Sequence, residues 1–249
     1  MSTTVSGADR PDGSTAAATD AAPRVAASPG WRGAGLTLLC LGGSLVLTFP
    51  AMLLLSTVAP AFTMWVGRPL FYVLMALFCG GGGALWGARL ARLAGVAPPH
   101  RRAWALGAAL GYAVSAPLAT YAASEAETFL LNEAQRNVQY PMHLAFAIIF
   151  AGVILLVVGL TTLALGVAAR RGRRALGLAA LGAGTAVGCF LAVDAAFDLG
   201  GWRVGAPGAE ARATMLVVLA AALLTATAAA GAVVGRAVVG RAVVRRPSR

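Results

Sequence analysis

Six long stretches with no Asp, Glu, Lys or Arg at their centres constrain this chain more than any other feature. They cover residues 35–62, 69–88, 103–123, 142–169, 175–193 and 213–234. Each is near or above the roughly 20 residues that a helix needs to cross the hydrocarbon of a bilayer. Only 12% of the residues are charged, and the mean hydropathy is +0.77. A soluble domain carries roughly a quarter charged residues, so lipid is the solvent for most of this surface. The expected fold is all-α, an integral membrane bundle of six transmembrane helices spanning 34–236. It is preceded by a tail (1–33) and followed by a basic tail (237–249). The fourth stretch would be about 42 Å long as a helix, so it tilts or projects from the bilayer. Pro50 and Pro117 predict kinks in spans one and three.

Charge sorts by loop. Of the 20 basic residues, all arginine, 16 fall in the two tails, the second-to-third loop and the fourth-to-fifth loop. The other four are Arg68, Arg136, Arg203 and Arg212. Cytoplasmic loops carry the excess of basic residues, so both termini are expected inside. Trp31, Trp86, Trp104, Trp65 and Trp202 all fall near span ends, where indole rings favour the headgroup level. The tail "MSTTVSGADRPDGSTAAATDAAPRVAASPG" has almost no large apolar side chains and reads as disordered. "VAPAF" resembles a signal-peptide cleavage site, but the long acidic leader before it argues against one. Arginine without lysine, with abundant Ala and Gly, suggests a high-GC prokaryotic genome and hence a prokaryotic cytoplasmic membrane. The net charge of +11 lies on the loops and tails. It points to anionic lipid headgroups at the inner face rather than to nucleic acid.

Within span two, Gly80, Gly81, Gly82 and Gly83 form an unbroken glycine run. A phosphate-binding loop is excluded, because no lysine follows and the run lies at membrane depth. Each helical glycine costs roughly 1 kcal/mol relative to alanine, and close helix packing can return that cost. Four in a row thin a helix on every side, which predicts a central or locally unwound span. Transporters place sites at broken helices paired across inverted halves. In a three-plus-three arrangement the counterpart is span five, with "GAGTAVG" containing Gly182, Gly184, Thr185 and Gly188. Thr185, Ser115 and Tyr112 are candidate cavity hydroxyls, and helix packing is the competing use of all these glycines. The likeness of "RRAWALGAALG" to "RRALGLAALGAG" suggests instead a duplicated hairpin.

No ionisable group lies at the centre of a span, which argues against proton pumps, voltage sensors and charge-coupled carriers. Polar residues gather at the outer face: Glu125 and Glu127 after span three, His143 opening span four, and Asp194 and Asp198 ending span five. They read as a solvated rim rather than a metal or catalytic site. Ser124 and Glu127 form a capping-box pattern, predicting a short outer helix or an extension of span three that ends before Pro141. Cys40, Cys79 and Cys189 show no metal spacing, and no catalytic motif is present. The sequence therefore predicts no catalytic residue, cofactor or metal. The expected role is a permease-like transport component for an uncharged or apolar solute, with its cavity between spans two and five. The alternative is an accessory or scaffold subunit, with a membrane-protein partner or a second copy.

Overall fold

A computed structural model describes residues 29–136, 142–170, 172–199 and 209–244. Within these, the side chains of 29, 60–65, 130, 131, 133–136, 142–146, 197–199, 209–216 and 239–244 are left out. All regular structure among the described residues is helical. The helices are α1 (Pro29–Thr37), α2 (Gly43–Val58), α3 (Pro60–Leu93), α4 (Pro98–Arg136), α5 (Met142–Ala168), α6 (Arg173–Leu199) and α7 (Ala209–Val244). A π-helical turn, Leu38–Gly42, joins α1 to α2, so that the two form one span, Gly30–Val58. Among the described residues, six helices are long and apolar enough to cross a membrane. The chain is a polytopic membrane protein.

Element boundaries follow local chemistry. Ala59 leaves helical geometry (φ −134°, ψ 63°), and Pro60 starts α3 at the first helical position, where its missing N–H costs nothing. Gly95, at φ 67°, ends α3: its own N–H donates to the Arg92 carbonyl, and that of Val96 to the Ala91 carbonyl. That pair of bonds satisfies the last carbonyls in the pattern that favours glycine at this position. Helix α4 continues through Ser124 and Glu127 to Arg136. Helix α1 begins inside the stretch expected as tail, because Gly30 and Gly33 meet α7. The remainder of that tail, 1–28, lies outside the described residues.

The spans form a ring in chain order. α3 packs on α4, α4 on α5, α5 on α6 and α6 on α7, and α7 closes on α1. Span one is divided between two neighbours, since α1 packs on α7 whereas α2 packs on α3. The inward stripe of α7 advances in steps of four: Val218, Ala222, Ala226, Ala230, Val234 and Val238 are all buried. The stripe of α4 does the same with Trp104, Ala108, Tyr112 and Ala116. Small residues at four-residue spacing let backbones approach where lipid offers no hydrophobic drive. Trp86 and Trp104 pack into the interior of the bundle. Both are buried in this core, Trp86 at 2% exposure, while Trp31 stays exposed. Trp86 finds a buried polar partner on span one, which takes its indole N–H.

Candidate functional site

Missing side chains bring the helices of this site together. A Cβ at Gly33 would overlap the Gly231 carbonyl oxygen, and one at Gly231 would overlap the Thr37 hydroxyl. Spans one and six therefore meet backbone to backbone at the arginine-rich end. On α3, a Cβ at Gly82 would collide with the Cys40 carbonyl and Ser44. One at Gly83 would sit 2.5 Å from the Ala108 carbonyl oxygen, and one at Gly87 2.5 Å from that of Trp104. Gly107 and Gly111 admit Ala168, Ala164 and Thr161 of α5 in the same way.

This closeness allows buried hydroxyls to bond across spans. Trp86 Nε1–H donates to Thr37 Oγ1 at 2.9 Å, and the Thr37 hydroxyl donates to the Gly33 carbonyl at 2.9 Å. Tyr112 OH donates to the Leu41 carbonyl at 2.8 Å, and Ser44 Oγ donates to the same oxygen at 2.9 Å. That carbonyl lies within the π-helical turn, a backbone form that recurs at functional sites. Ser115 Oγ and Thr161 Oγ1 are 3.2 Å apart and link α4 to α5.

Above these contacts lies a cavity of about 130 Å³, bounded by five of the six spans. Span one contributes Thr37, Leu41, Gly42 and Leu45; α3 and α4 contribute Trp86 and Tyr112. α5 supplies Val153, Ile154, Val157, Val158, Thr161 and Thr162; α7 supplies Leu223, Thr227, Ala230, Gly231 and Val234. Among the described residues, no lining residue is charged. Each polar one already has a protein partner. Besides the bonds above, Thr162 donates to the Val158 carbonyl (2.6 Å) and Thr227 to that of Leu223 (2.7 Å). An engineered apolar cavity of about 150 Å³ stays dry and takes up benzene or xenon. A space of this size, with each of its hydroxyls bonded to the protein, suits an uncharged apolar occupant.

The structure redistributes the residues singled out from the sequence. Helix α3 runs unbroken through its glycines. Gly82 and Gly83 are contact points, a Cβ at Gly80 would lie 3.3 Å from that of Ala113, and Gly81 faces open space. In α6, Gly182 meets Val234, whereas Gly184 and Gly188 have nothing nearby. Thr185 donates to its own helix at the Leu181 carbonyl. None of these eight lines the cavity, and α6 contributes no lining residue. Spans two and five sit apart in the ring, each packed on its chain neighbours. Of the candidate hydroxyls, Tyr112 reaches the cavity and Ser115 supports Thr161 from behind.

Glu125 and Glu127 are exposed on α4, and Asp194 is half-buried on α6. The side chains of His143 and Asp198 lie outside the described residues. No metal-ligating cluster occurs among those described. Sequence reasoning passed over Thr37, Ser44 and Thr48. Their spacing of seven and four places them on one helix face, and all three are buried. That polar stripe in an apolar span was the available signal.

The chain matches no known protein family, no curated protein and no solved structure. The functional reading therefore rests on the geometry alone.

Proposed function

We propose that the protein is a permease-like transport component that carries an uncharged or apolar ligand through the cavity enclosed by spans one, four and six. One observation supports this reading most. The cavity is ringed by five spans, lacks charge, and has every hydroxyl bonded to the protein. An ion or strongly polar solute entering it would lose hydration without replacement, at several kcal/mol. In this reading both termini face the cytoplasm of a prokaryotic cell. The arginine-rich face then rests on anionic headgroups, each Arg contributing about 1 kcal/mol.

Stopped-flow influx of three uncharged, largely apolar solutes, benzyl alcohol, cyclohexanol and aniline, into proteoliposomes tests the transport step. Influx faster than into protein-free vesicles for at least one of the three is expected. Rates equal to protein-free vesicles for all three would reject transport.

A second reading, an accessory or scaffold subunit, is favoured by the outward glycines of α6. Gly184 and Gly188 have open space beside them, so nothing within the chain returns their helical cost. A partner helix would. Purification in mild detergent separates the readings: a stoichiometric partner supports the scaffold, and a lone monomer counts against it.

A further inference from the structure

The cavity has one closed end and one open side. Toward the arginine-rich end it is sealed by the Gly33–Gly231 backbone contact and by the Trp86–Thr37 hydrogen bond. Toward the other end α2 leans on α3, with Phe49 and Phe71 ring centroids 5.9 Å apart, and among the described residues has no substantial packing on α7. Along the cavity-lining face of span one, exposure rises from 4% at Thr37 and 9% at Leu41 to 36% at Leu45. The ring is thus shut between α1 and α7 and open between α2 and α7.

That opening lies deep in the hydrocarbon. Val153 is eleven residues from the start of α5, about 16 Å along a helix. α5 is longer than a bilayer core is thick, so its centre rather than its first residue marks the midplane of a centred span, and Val153 lies within about 3 Å of that centre, where lipid tails end. A small, wholly apolar solute crosses hydrocarbon without a protein. A molecule that has an apolar part but needs a protein must also carry a polar head. The most abundant such molecule at this mouth is the lipid itself.

We propose that the cavity is a slot for the hydrocarbon tail of a membrane lipid, entered sideways through the seam between α2 and α7. The proposal rests on the reading that the cavity takes an apolar ligand, and it names that ligand's class. Gly42 provides the means to test it. Gly42 lines the cavity, yet a Cβ there meets nothing within 4 Å. Gly43, its neighbour, is equally unobstructed but does not line the cavity. Gly42→Leu therefore projects a side chain into the slot, and Gly43→Leu is a matched control about 100° round the helix.

The full chain is placed in phosphatidylcholine nanodiscs doped with phosphatidylcholine bearing a diazirine at the tail end. It is then irradiated and its adducts are mapped by peptide mass spectrometry. A parallel sample receives trifluoromethyl-phenyl-diazirine, a small apolar probe. The expected result is lipid adducts on Leu45, Val153 and Leu223, lost in Gly42→Leu and retained in Gly43→Leu. Leu45→Trp, at the exposed mouth, should lose them too. Lipid adducts spread evenly over exposed residues such as Leu77 and Leu110, or unchanged in Gly42→Leu, would overturn the tail proposal. If the small probe still labels the lining, the apolar-ligand reading survives that failure. If neither probe labels it, both fall.

Discussion

The glycine-rich stretches of α3 and α6 look alike in sequence and do opposite things. In α3, Gly82 and Gly83 remove side chains where backbone of span one and of α4 presses in. In α6, Gly184 and Gly188 border open space, and only Gly182 meets a neighbouring helix, at Val234. Both helices have neighbours on two sides, and a helix whose glycines lie on those sides spends them on contact. One that turns a face to lipid spends them on nothing within this chain. Glycine content therefore does not identify the working face, and what lies opposite each Cα does.

The most damaging change should be Gly82→Leu. Its side chain has no room before the Cys40 carbonyl and Ser44, so unfolding should become easier by about 3 kcal/mol, the upper end for overpacking. Titration with SDS in mixed micelles, followed by tryptophan fluorescence, measures this; a midpoint equal to the parent's would contradict the close approach of spans one and two.

Gly83→Ala adds only a methyl, but against backbone atoms of Ala108 and Ala109. A loss of about 2 kcal/mol by the same titration is expected. Trp86→Phe keeps an aromatic side chain, though a smaller one, and removes the bond to Thr37, whose own bond to Gly33 persists. It should cost about 1 kcal/mol, and pairing it with Thr37→Val in a double-mutant cycle should return coupling. Additive effects would mean the bond is idle.

Gly184→Ala should move the other way, stabilising by about 0.5 kcal/mol or somewhat more through helix propensity alone. Opposite signs for Gly83→Ala and Gly184→Ala are the sharpest form of the comparison. Equal signs would break it.

The number of spans was legible because hydrophobic length is a one-dimensional property: no soluble alternative accommodates six such runs with so few charges. The helical state of the glycine run was harder to read. Gly80–Gly83 raise the cost of a helix, and the neighbours that offset that cost are remote in sequence. The candidate site was legible only in part. Tyr112 was named for its hydroxyl and does line the cavity, whereas Thr185 was named for the same reason and bonds to its own helix. A threonine in an apolar helix can always bond back to a carbonyl one turn earlier, so its identity alone does not tell which way it serves.

The sequence by itself determined that this chain crosses lipid six times and carries no charge at the centres of its spans, because solvent preference sums over residues without regard to their partners. Only the tertiary structure decided that span one joins α7 through α1 and α3 through α2, leaving a lined space among spans one, four and six. That choice depends on which small surfaces come face to face. Shape complementarity between distant segments is a property of pairs, and no single stretch of the chain contains it.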